Sequence, residues 1–272
     1  MNDGDLGRQY GEWLTRVRNR TRTDGPGMPS EHLTNGGEGG ASHPTTAAPP
    51  GYPLVALDDP HSVAAEQYRL LAARLEGLRQ QPRFRRIAVT STLPGEGKTF
   101  TSVNVAGILA RDFGRRVLLI DGDLKRPSVW RYFTEKPIKG LTDTLAERQS
   151  PEAMVKPGRH EHLSVLQAGV APVNPTRLWK SPAIKSLLEH FDTQYDYLII
   201  DTPPVLTVVD PTLIADLVDG IVVVVRSGIT PQAALQKGLS TLPRAKLVGT
   251  VLNAARVDHT PYYYYLHNYT KR

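Results

Sequence analysis

From residue 59 onward the chain alternates two patterns. Short continuous apolar runs are separated by stretches whose apolar residues recur at helical spacing. The runs Arg86–Thr90, Val117–Ile120, Leu163–Leu166, Tyr197–Ile200, Ile221–Val225 and Leu247–Leu252 read as strands. Their apolar residues are consecutive, as in parallel strands covered on both faces. Ser62–Leu78 reads as a helix, with Ala65, Tyr68, Leu71, Leu75 and Leu78 on one face. Thr99–Arg111, Ser181–Phe191, Pro211–Ala215 and Pro231–Leu242 read as further helices between strands. This alternation predicts a doubly wound α/β fold with a mostly parallel sheet. Ligands in such sheets bind at the carboxyl ends of the strands. No internal repeat is present.

The first 58 residues break the pattern. Gly25–Pro53 is rich in Gly, Pro, Thr and Ser and has few apolar groups, too few to offset the entropy of ordering. Before it, Tyr10, Trp13, Leu14 and Val17 fall at helical spacing among arginines. Such a helix suits a partner or an anionic surface, but one so short is marginal by itself. The reading is a disordered arm and linker over 1–58, a domain over 59–256 and a flexible tail over 257–272.

Composition narrows the chemistry. The 272-residue chain has no cysteine, which excludes disulfides and thiolate sites. No apolar run approaches the ~18–20 residues of a membrane span, and the N-terminus lacks an apolar signal region. A cytoplasmic protein is expected, reaching the membrane only through a partner or a surface. The net charge of +6 accommodates nucleotide, acidic lipid or nucleic acid. Neither zinc-finger spacing nor an aromatic–basic RNA motif is present, so no nucleic-acid partner is expected.

Ser91-Thr-Leu-Pro-Gly-Glu-Gly-Lys-Thr99 follows a strand and opens a helix, the context of a phosphate-binding loop in a P-loop NTPase fold. The glycines let backbone N–H groups face phosphate oxygens, and the helix N-terminus adds partial positive charge. Lys98 is suited to neutralise the β- and γ-phosphates, and the Thr99 hydroxyl to ligate Mg²⁺. Pro94, Gly95, Glu96, Gly97, Lys98, Thr99 and Phe100 form the expected nucleotide-binding set. One departure stands out: the general motif has Gly six residues before the Lys, and here that residue is Thr92. Two further strands end in carboxylates, Asp121 with Asp123 and Asp201. On the same edge they can hold Mg²⁺ directly or through water, and one can activate an attacking hydroxyl. Lys125 and Arg126 follow and are suited either to phosphate or to solvent.

Tyr262, Tyr263, Tyr264, Tyr265 and Tyr269 crowd the end of the chain. With Thr90–Thr99, Leu118–Pro127 and Asp196–Pro204 they resemble the bacterial tyrosine kinases of capsule and exopolysaccharide synthesis, from about Glu66 to the C-terminus. The resemblance implies Walker A, A′ and B motifs and an autophosphorylated tyrosine cluster. It implies ATP and Mg²⁺ as cofactors, Lys98 on phosphate, and Thr99, Asp121 and Asp201 around the metal. Asp123 becomes the expected base, with Lys98 and Asp121 beside it, and Asn253 an adenine contact. It further implies a homo-oligomer exchanging tails in trans, a membrane polysaccharide co-polymerase-type activator and a protein-tyrosine phosphatase. The family's Glu-x-x-Arg-x-x-Arg assembly element is matched by Glu66 and Arg69, but Ala72 replaces the second Arg. Arg74 lies roughly 200° around the helix from Ala72. The alternative is a Min/Par-type partitioning ATPase. Those proteins resemble one another in a Lys five residues before the invariant one, where this chain has Leu93.

Overall fold

Val117–Asp121 and Tyr197–Asp201 contain no exposed residue. A strand covered on both faces must be central and flanked by helices. The computed structural model describes residues 52–79, 84–133, 139–147 and 150–255. In chain order its elements begin with helix α1 (Val55–Asp58), helix α2 (Val63–Leu78), strand β1 (Arg86–Ser91), helix α3 (Lys98–Arg111) and strand β2 (Val117–Asp121). A 3₁₀ turn at Val129–Tyr132 precedes α4 (Leu141–Glu147), α5 (Pro151–Met154), β3 (Lys156–Pro157) and β4 (Leu163–Leu166). Then follow α6 (Pro175–Trp179), α7 (Pro182–Asp192), β5 (Tyr197–Asp201), α8 (Asp210–Ala215), β6 (Gly220–Arg226), α9 (Gln232–Ser240) and β7 (Leu247–Asn253).

The strands form one seven-stranded sheet in the order β3-β4-β2-β5-β1-β6-β7. Every pairing is parallel except β3 with β4. The fold is therefore the expected α/β P-loop NTPase type. β2 and β5 run in register, so that Asp121 lies beside Asp201 at the carboxyl edge.

α3 lies behind this edge, with Thr101 to Ala110 buried without interruption. It packs on the sheet on one side and on α1 and α2 on the other. α7 packs against β5 and α8 against β1. Ser62 caps α2 through Ala65 N at 3.1 Å, and Ser181 caps α7 through Ile184 N at 3.4 Å, each satisfying an orphan amide of the first turn.

The boundary of the arm needs correction. Residues 52–58, read from composition as linker, include Leu54 and Ala56, both fully buried in the main core. Ala56 N donates to Asn104 Oδ1 at 2.9 Å, and Arg111 Nη1 donates to Ala56 O at 2.5 Å. A methyl group on Gly107 would stand 3.1 Å from both Ala56 Cβ and Leu54 Cδ2. The bare glycine therefore allows α1 to lie against α3. A single helical turn flanked by prolines carries too few apolar residues to show a period.

Candidate active site

The phosphate loop turns on two glycines with left-handed backbone, Gly95 at φ 81° and Gly97 at φ 95°, a conformation open mainly to glycine. Gly97 is also the residue at the N-terminus of α3. The helix places its unpaired first-turn amides and Lys98 over the sheet edge.

Three carboxylates surround Lys98. Its Nζ lies 3.1 Å from Asp123 Oδ2 and 3.5 Å from Asp201 Oδ2. The Thr99 hydroxyl donates to Asp201 Oδ2 at 2.7 Å and lies 2.9 Å from Ser128 Oγ. Ser102 donates to the other oxygen, Asp201 Oδ1, at 3.0 Å. Asp121 Oδ2 accepts the amides of Ser128 and Val129, each at 3.0 Å. Asp121 and Asp201 are fully buried, whereas Asp123 retains 5% exposure and lines the cleft. Burial raises the Asp121 carboxyl to about 8, and the neighbouring Asp201 adds to the rise. Burial also raises Asp201, against the pull of Lys98 and the Thr99 and Ser102 hydroxyls. Burial alone would lower Lys98, but Asp201 and Asp123 outweigh it and hold the ammonium above its usual range. Lys98 is thus held as a fixed cation among three carboxyl groups.

This donor set fits Mg²⁺. The hydroxyl and carboxylate oxygens of Thr99, Ser128, Asp121 and Asp201 are hard ligands, and none belongs to a softer donor type. Among the described residues, no group of three or more His, Asp or Glu side chains is arranged to hold a metal alone. Mg²⁺ at a nucleotide site needs no such cage, because one or two carboxylates, water and phosphate oxygens complete it.

The cleft in front of the loop has a volume of about 880 Å³, ample for a nucleotide. Pro94, Gly95, Gly97, Lys98, Thr99 and Phe100 line it, as do Asp123, Lys125, Arg126, Pro203 and Pro204. Ser128, Arg131, Tyr132 and Arg226 also line it, and no motif or period in the sequence marks them. Ser128 follows a proline in a segment without periodicity, and Arg226 is simply the last residue of an apolar strand.

Other expected residues fall elsewhere. Glu96 is buried to 2% exposure and turns its carboxylate into the loop, away from the cleft. Asn253 donates from Nδ2 to Glu96 O at 2.9 Å, so its amide supports the loop backbone. Arg69 is committed within the chain. It meets Glu66 Oε2 and Asp112 Oδ2 at 2.6 Å each and Pro60 O at 2.5 Å, tying α2 to the end of α3. Ala72 is fully buried, which explains why no arginine stands there, while Arg74 is exposed. The tyrosines 262–265 and 269 and the helix expected over Gln9–Arg20 lie outside the described residues.

With this geometry in view, the comparisons are consistent. Residues 84–245 match the AAA domain family. The chain is 36% identical over 215 residues to tyrosine-protein kinase YwqD of Bacillus subtilis, covering 78% of this chain and 90% of that one. Succinoglycan biosynthesis transport protein ExoP of Rhizobium meliloti is 34% identical over 204 residues, which are 73% of this chain but 26% of ExoP. The crystal structure of the chimerical protein CapA2B2 superposes with a TM-score of 0.71 at 30% identity, covering 75% of this chain and 90% of the other. The fold and site define a P-loop phosphotransferase. Within that class, the chain belongs to the bacterial tyrosine kinases.

Proposed function

We propose that this protein is an ATP-dependent autokinase that phosphorylates Tyr262, Tyr263, Tyr264, Tyr265 and Tyr269, and that this modification regulates exopolysaccharide or capsule synthesis or export. The observation that carries the reading is the division among the three aspartates. Asp121 and Asp201 are buried and engaged with backbone amides and hydroxyls, whereas Asp123 lines the cleft beside Lys98.

The loop amides and Lys98 bind the β- and γ-phosphates of the substrate ATP. Mg²⁺, when bound, neutralises charge developing on the transferred group. Thr99, Asp121 and Asp201 would hold it. Asp201 fixes the Thr99 hydroxyl, and Asp121 fixes the Ser128–Val129 turn. Asp123 accepts the proton of the incoming tyrosine hydroxyl as its oxygen forms a bond to the γ-phosphorus and the bond to the ADP oxygen breaks. Phe100 and Pro94 line the cleft.

The family resemblance supports a homo-oligomer and a membrane co-polymerase-type activator that recruits the chain to the inner face of the membrane. A phosphatase would complete the cycle. Among the described residues no helix is long and apolar enough to cross a membrane, which agrees with recruitment through an adaptor.

The test is incubation with Mg-ATP followed by mapping of phosphotyrosine. Label on the five tail tyrosines, absent in Lys98→Met, is expected. ATP hydrolysis without any phosphotyrosine would favour the partitioning reading.

A further inference from the structure

Glu96 is a charged loop side chain that the transfer chemistry does not use. It is 2% exposed, yet it is acidic and lies behind a loop built for anions. Its surroundings explain its presence. Oε2 accepts the amides of Thr92 at 2.7 Å and Leu93 at 2.9 Å. Oε1 accepts the hydroxyl of Thr230, which itself accepts the amide of Arg226 at 3.0 Å. Thr230 lies in the β6–α9 connection, 134 residues away.

Thr92 stands where phosphate loops ordinarily have glycine. Its side chain is fully buried and points at α9, since a methyl on Gly238 would lie 3.1 Å from Thr92 Cγ2. With its side chain anchored inside, the backbone amides of residues 92 and 93 face inward and need an acceptor. An unpaired buried amide is costly. The Glu96 carboxylate answers both, and the positive end of α3 beside it tolerates the charge.

We infer that Glu96, held by Thr230, is a positioning residue of the phosphate loop: its carboxylate fixes the turn at Thr92–Leu93 that glycine fixes elsewhere, and so sets the loop for the nucleotide phosphates. Asn253 Nδ2 on Glu96 O and Arg226 Nη1 on Gly95 O, at 2.9 and 3.2 Å, hold the other side of the turn. The inference rests on the loop being the nucleotide site but not on tyrosine being the acceptor.

Mg-ADP titration calorimetry on the full chain tests it, with Lys98→Met as the control for the site. Glu96→Ala orphans two buried amides and is expected to weaken Mg-ADP by about 10- to 100-fold. Glu96→Gln keeps an acceptor of the same reach and is expected to stay within about threefold of the parent. Glu96→Asp keeps the charge but not the reach, and is expected to resemble Ala. It also substitutes for Ala if that variant does not fold. Thr230→Val is expected to weaken binding several-fold in the parent and to add little in Glu96→Ala, as coupled neighbours do. Turnover at saturating nucleotide should change less than affinity, a split that general loss of stability would not produce. Parent-like affinity in Glu96→Ala or Glu96→Asp, with binding lost in Lys98→Met, overturns the inference. Parent-like affinity in Lys98→Met overturns the assignment of the nucleotide site itself.

Discussion

Charge at the level of single residues separates the three aspartates. Asp201 touches Lys98 and the hydroxyls of Thr99 and Ser102, so its loss disturbs the loop lysine and the expected metal ligand together. Asp201→Asn is expected to abolish the Mg²⁺ dependence of nucleotide binding. Among the described residues the Asp123 carboxylate meets Lys98 and a local turn, through Arg126 N at 3.1 Å. With Asp123→Asn, Lys98 still faces Asp201 and remains charged. Nucleotide affinity should hold within about threefold, while transfer to tyrosine falls by about 10²–10⁴-fold, the range of a lost general base. Parallel titration and single-turnover measurements check both. If Asp123→Asn cannot bind Mg-ATP, its role is in holding the metal or the loop. The loop lysine, its threonine and the aspartates were legible in the sequence because each ends a strand or opens a helix in a short motif. Ser128 and the Thr230 hold on Glu96 were not, because their partners lie 29 and 134 residues away and no local spacing encodes such contacts.

Elements were legible to the extent that they repeat a period. All six expected strands recur, and most extend one residue further, to Ser91, Asp121, Asp201, Arg226 or Asn253. Apolar patterning stops short of these polar ends, although they are what the strands deliver to the site. Helices of four to seven residues, such as α1, α4, α5 and α6, are too short to show a period. α1 matters most, because it adds Leu54 and Ala56 to the core beneath the loop helix. Leu54→Ala is expected to cost about 2–4 kcal/mol, read from a denaturant midpoint at unchanged slope. A loss within about 0.5 kcal/mol would remove residues 52–58 from the cooperative core. A second joint lies at the opposite edge of the sheet. Asp196 precedes β5, meeting Arg79 at 3.0 Å and Arg116 N at 3.0 Å. Burial would raise its carboxyl, but bonds and charge from Arg116, with Arg79, hold it below the usual range. A depressed carboxyl stabilises the fold above its unfolded value of about 3.9 and loses that contribution as pH falls through the lower folded value. Asp196→Asn should therefore melt earlier than the parent at neutral pH. The gap should narrow below about pH 4. A constant gap would assign the residue a packing role only.

For the whole molecule, the geometry bears on which copy receives the phosphate. The last strand ends at Asn253, whose side chain already touches the phosphate loop at Glu96 O. β7 is the edge of the sheet, four strand spacings from β2, after which Asp123 lies. At about 4.8 Å per spacing, the tail root and the expected base are separated by roughly 19 Å. The stretch from Asn253 to Tyr262 extends at most about 30 Å. That reach exceeds the separation, so it permits transfer within one chain as well as to a neighbouring copy, and the choice between them falls to experiment. The basic rim of that cleft, Lys125, Arg126 and Arg226, is exposed. Each phosphate adds about −1.5 to −2 charges at neutral pH. Several of them on adjacent tyrosines repel one another and favour release. The expected cycle is docking of an unmodified tail in an adjacent site, transfer, and departure of the modified tail. Its test mixes a Lys98→Met chain that keeps its tail with an active chain whose five tail tyrosines are Phe. Label on the inactive chain is expected, together with a parent rate per molecule that rises with concentration. No label, with a rate independent of concentration, would place the transfer within one chain and end the case for tail exchange.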